Sequence, residues 1–91
     1  MYKLDQTQTP LFDALMEYVD RGTIPFHVPG HKKGDGCDDK FKNFVGKNVL
    51  SIDVTVFKLV DSLHHPTGVI KQAQELAADA YGSDKAFFSI N

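Results

Sequence analysis

The sequence predicts an α/β chain, and three observations carry that expectation: an apolar helical stripe opening at Thr9-Pro10, an amphipathic run from Val69 to Tyr81, and a short aromatic run, "KAFFSI", that follows it across a Gly-Ser-Asp turn. An amphipathic helix, a glycine stop and an apolar run of strand composition, in that order, make half of an α/β unit. Two helices, a long irregular arm and one or two short strands are therefore expected.

In the first helix, placed at residues 10–20, Thr9 can cap and Pro10 is pre-set for the first helical position. Leu11, Phe12, Leu15, Met16 and Val19 then recur as one apolar stripe. Arg21 suits the C-terminal end of the helix dipole, and Gly22 supplies a left-handed stop. The second helix starts near "HHPTG", with His65 or Thr67 as candidate caps, and runs to Gly82. Its apolar face comprises Val69, Ile70, Ala73, Leu76, Ala77, Ala80 and Tyr81. "KAFFSI" reads as a buried strand. Residues 23–66 have little period. "FKNFVG" reads as one short helical turn, and "NVLSIDVTVF" as a strand in two pieces with Ile52, Val54 and Val56 on one side. A loop this long in a small domain points to function or to packing on another surface.

Composition narrows the class. Of the 91 residues, 42% are apolar and 24% charged, which is ordinary for a folded chain and far from the disordered signature. A net charge of −2 gives no sequence-wide attraction to nucleic acid or anionic lipid, so neither is an expected partner. There is no apolar run near the roughly 18 residues of a membrane span and no signal-peptide core at the N-terminus. A single cysteine, Cys37, allows no intrachain disulfide and agrees with a reducing, cytoplasmic compartment.

The chemistry concentrates in "FHVPGHKKGDG", residues 26–36. His27 and His31 are four apart, but Pro29 and Gly30 between them forbid the helix that would make them paired ligands. With His64 and His65 they read most simply as hydrogen-bonding loop histidines, and no metal is expected. The stretch fits neither common phosphate-binding glycine motif. Gly30, Gly34 and Gly36 permit close backbone approach, and Lys32, Lys33, Lys40, Lys42 and Lys47 outnumber Asp35, Asp38 and Asp39 nearby; a solvated surface accounts for that excess more simply than an anion site does. Asp53 and Asp61 flank an apolar segment, yet no nucleophile with a base and an orienting group can be named from spacing.

"QTPLFDALMEYV", "IPFHVPGHKKGDG", "SIDVT" and "DSLHHPTGVIKQAQELAADAYGSDKAFFSIN", in this order and spacing, resemble the N-terminal region of the bacterial ornithine/lysine/arginine decarboxylases. These are pyridoxal-phosphate enzymes of the aspartate-aminotransferase fold. The likeness runs from about Gln8 to Asn91, and one departure stands out: after Asp53-x-Thr55 the family usually carries acidic and further charged residues, where this chain has Val56, Phe57 and Lys58.

The resemblance implies the N-terminal portion of a fold type I, PLP-dependent transferase-like domain. Residues 1–66 would form the helix and extended arm, and 67–91 the first helix-strand unit. It implies decarboxylation of lysine, ornithine or arginine to carbon dioxide and a polyamine-type amine, by a dimer or higher homo-oligomer. Pyridoxal phosphate is the implied cofactor of the complete enzyme. The phosphate turn and the Schiff-base lysine are expected beyond Asn91, so no residue here is expected to be catalytic or cofactor-binding, and no cofactor is expected on this chain alone. The arm would wall the active site, with Gly30, His31, Lys32, His65 and Gly68 at its mouth or at the subunit interface. The alternative is a truncated, non-catalytic interaction module.

Overall fold

The computed structural model describes residues 2–22, 24 and 29–90, so Phe26, His27 and Val28 of the glycine-rich stretch lie outside the described residues. Among the described residues it contains α1 (Pro10–Asp20), α2 (Asp39–Val45), α3 (Lys47–Ser51) and α4 (Val69–Tyr81). The helices of the α/β expectation are present; the strands are not. Among the described residues, backbone pairs in β fashion only at an isolated antiparallel bridge between Phe57 and Asp61. "KAFFSI" joins no ladder, and Phe87 and Ile90 are exposed rather than buried. A strand needs a neighbour's N–H and C=O groups, whereas a helix satisfies its own. The same reasoning explains why "KNVLS" is helical instead of extended: Leu50 N–H donates back to Gly46 C=O at 3.4 Å, which requires no second strand.

Two compact units divide the chain, Met1–Ala14 with Val56–Asn91, and Leu15–Thr55. In the first, Ala14, Val60, Leu76 and Ala78 are buried. The N-terminal segment is fastened to the last turns of α4: the Asp79 carboxylate accepts the N–H of Lys3 at 2.8 Å and of Leu4 at 2.9 Å, and Gln6 Nε2 donates to both Asp79 and the Leu76 carbonyl. Gly82 ends α4 at φ 65°, as its sequence position predicts. Tyr81, expected on the apolar face, is 88% exposed.

In the second unit the core residues are Tyr18 and Leu50, and α2 lies against α3. Asp38 starts α2 by accepting the N–H groups of Lys40 and Phe41, and Gly46 at φ 96° separates α2 from α3. The short turn expected at "FKNFVG" is therefore a capped helix.

At α1 the predicted bounds hold. Its buried positions, Ala14 and Tyr18, fall one helical turn apart, while Phe12 of the predicted stripe is exposed. The Thr9 hydroxyl does not accept an amide but donates to the Asp13 carboxylate at 3.0 Å. No helix among the described residues is long and apolar enough to cross a membrane.

Candidate functional site

The turn Pro29–Cys37 in the second unit is organised around His31. After His31 the backbone turns left-handed at Lys32 (φ 51°), Lys33 (φ 58°) and Gly34 (φ 95°). For each lysine that conformation costs about 1–2 kcal/mol, so it persists only where the surroundings impose it. Gly34 and Gly36 N–H groups both donate to the His31 carbonyl, at 3.0 and 2.8 Å, and Asp35 N–H donates to Lys32 C=O. The Gly34 N–H also reaches His31 Nδ1 at 3.0 Å. A nitrogen that accepts carries no proton, so the ring is the neutral form with hydrogen on Nε2. That Nε2–H donates to Asp53 Oδ2 at 2.9 Å.

Glycine freedom in this turn serves packing within the chain. A Cβ on Gly34 would stand 3.0 Å from Leu50 Cδ1, and one on Gly36 would stand 3.3 Å from the His31 carbonyl oxygen. Lys33 Nζ lies 4.6 Å from the centre of the Tyr18 ring, a cation–π contact, and Lys47 pairs loosely with Asp35 at 3.7 Å. Burial pushes the Tyr18 hydroxyl pKa up.

A second constellation lies in the first unit, at the start of α4. Asp61, itself at φ 70°, accepts backbone N–H groups from Ser62 (2.8 Å), Thr67 (3.0 Å), Gly68 (2.7 Å), Ile70 (3.1 Å) and Lys71 (3.4 Å). Partial desolvation opposes ionisation, but the amides of Thr67, Ser62, Gly68 and Lys71 outweigh it and hold the carboxyl well below the usual range. The helix is thus capped by a carboxylate seven residues before Gly68, not by His65 or Thr67; the Gly68 position has no side-chain cap of its own. The 62–67 loop and α4 also line an open groove of about 950 Å³, through Leu63, His64, Pro66, Lys71 and Glu75.

Of the residues singled out in the sequence, Gly30, His31 and Lys32 gather in the Pro29–Cys37 turn, with Gly30 and Lys32 exposed. Gly68 sits in the Asp61 ring, and His65 is exposed on the loop that the ring closes. Among the described residues no three His, Cys, Asp or Glu side chains converge as a metal site. Asp53 and Asp61 were visible only as acids flanking an apolar segment. Asp53 meets His31 across 22 residues, a pairing no local motif announces.

A family profile described as "Orn/Lys/Arg decarboxylase, major domain" matches residues 9–91. The arginine decarboxylase of Bacillus anthracis is 56% identical over 90 residues, covering 99% of this chain and 18% of that protein. The arginine decarboxylase of Bacillus subtilis (strain 168) is 49% identical over 87 residues, covering 96% of this chain and 18% of that protein. The constitutive ornithine decarboxylase of Escherichia coli (strain K12) is 36% identical over 89 residues, covering 90% of this chain and 12% of that protein. The chain spans less than a fifth of the length of these relatives. No solved structure matches it. With the profile matched from the first helix to the last residue, the chain belongs to the Orn/Lys/Arg decarboxylase family, within its major domain.

Proposed function

We propose that these residues form the N-terminal part of a pyridoxal-phosphate-dependent decarboxylase of a basic amino acid, lysine, ornithine or arginine, releasing carbon dioxide and a polyamine-type amine. The observation that carries this reading is 36–56% identity, over 90% or more of the chain, to proteins named as arginine and ornithine decarboxylases. Within such an enzyme the stretch supplies the arm and the wall of the active site in a cytoplasmic dimer or higher oligomer. The strained, tightly bonded turn around His31 supports that role, because irregular backbone held by its own side chains is suited to facing a small ligand.

The backbone amides of these two constellations are not free to hold the phosphate of the cofactor. Free amides at a helix N-terminus or a glycine turn are a ready-made cradle for a phosphate. At α4 those of Thr67, Gly68, Ile70 and Lys71 are occupied by Asp61, and in the His31 turn the Gly34, Asp35 and Gly36 amides are bonded within the turn. The contribution of this stretch is then to bind, orient and enclose.

Release of carbon dioxide from lysine, ornithine and arginine by the complete protein, with added pyridoxal phosphate, tests the reading. Release from at least one substrate is expected, and none from the 91-residue chain alone. Release from none of the three by the complete protein would contradict it.

A further inference from the structure

We propose that Asp61 is a positioning residue for the reaction: its carboxylate holds the 62–68 loop in a preformed shape, so that the loop serves as a fixed wall of the substrate site. This rests on the function proposed above.

The two carboxylate oxygens share the loop, with the Thr67 N–H bonded to Oδ1 at 3.0 Å and to Oδ2 at 3.2 Å. Oδ1 folds the loop onto itself, accepting Ser62 N–H at 2.8 Å and Thr67 N–H at 3.0 Å from its two ends. Oδ2 joins that closed loop to the helix, accepting Gly68 N–H at 2.7 Å and Ile70 N–H at 3.1 Å. Among the described residues, Leu63, His64, His65 and Pro66 make no hydrogen bond of their own, so the carboxylate is the loop's polar tether. Three of these four, Leu63, His64 and Pro66, line the groove beside α4. The positive φ of Asp61 fits the same reading. A non-glycine residue held at 70° needs compensation, and five amide donors supply it. A loop fixed at both ends by one side chain keeps its shape before substrate arrives, the condition under which positioning accelerates a reaction.

Asp61→Gly tests this in the complete protein, because glycine accepts φ 70° without strain while the carboxylate is removed. Hydrogen exchange at Thr67, Gly68, Ile70 and Lys71 should quicken, and kcat/KM should fall by about tenfold to a hundredfold, the scale of a misplaced wall. Formate, which can enter the vacated ring, should restore part of both, while chloride at equal ionic strength should not. Asp61→Asn, which keeps one acceptor oxygen, should lie between, and it carries the test if Asp61→Gly does not fold.

Unchanged exchange would overturn the tether. Faster exchange with kcat/KM within about twofold of wild type would overturn the positioning role. A wild-type protein that releases no carbon dioxide would instead overturn the proposed function, and with it the assignment to a reaction, while exchange still decides whether Asp61 holds the loop.

Discussion

His31 Nε2–H donates to Asp53 Oδ2 at 2.9 Å while His31 Nδ1 accepts the Gly34 N–H, so both ring nitrogens are committed inside the second unit. The ring acts as a template on which two left-handed lysines are held. Truncating it removes both bonds from a side chain only 16% exposed, whereas Asp53, at 56%, can be replaced by water. His31→Ala should therefore cost about 1–3 kcal/mol and Asp53→Ala about 0.5–1 kcal/mol. Urea unfolding of the complete protein, followed by a probe in this unit, measures the difference; equal costs would contradict the template role.

Gly34 is fixed twice, by φ 95° and by a Cβ position 3.0 Å from Leu50 Cδ1 and 3.2 Å from Leu50 Cβ. Gly34→Ala should destabilise by about 2 kcal/mol or more, since backbone strain and overpacking add. Gly22→Ala is the control: its φ is 62°, yet nothing stands within 4 Å, so only the strain of about 1–2 kcal/mol applies.

What the sequence revealed and what it concealed divide along local and non-local lines. The bounds of α1 and the Gly82 stop of α4 follow from Thr-Pro, apolar period and glycine, all within one or two turns. The missing strands were misread because "NVLSIDVTVF" and "KAFFSI" have strand composition, and composition does not supply a partner. The α4 cap was missed because Asp61 reaches Gly68 across a loop, outside the one-to-three-residue window of ordinary capping. The His31 turn was legible as unusual backbone, but Asp53 as its partner was not.

Asp61 and Asp79 give the first unit a definite acid response. Amides lower the Asp61 carboxyl against partial desolvation, and the amides of Leu4 and Lys3 lower that of Asp79. A carboxyl whose folded pKa lies below its unfolded value contributes stability that is complete above the unfolded value, near 3.8, and is lost as pH falls toward the folded one. Amide exchange in α4 and at Lys3 and Leu4 should quicken below about pH 4 beyond the intrinsic change. Asp61→Asn should flatten the response at the start of α4. A profile identical in that variant would contradict the assignment.

Phe44, Tyr81, Phe87 and Ile90 are 91%, 88%, 81% and 89% exposed. Apolar surface of this kind drives association. The 91-residue chain alone should sediment as a concentration-dependent mixture instead of a single monomer, and its unfolding should be broad. A sharp transition, independent of concentration, from a monomer would contradict this.

Kinetics of His31→Ala in the complete protein decide whether this stretch walls the active site of a basic amino acid decarboxylase, as proposed. The kcat/KM for the preferred substrate should fall at least about tenfold, a little over 1 kcal/mol of transition-state stabilisation, with the oligomeric state unchanged. Unchanged kinetics together with unchanged assembly would contradict it and leave the turn around His31 as a surface feature.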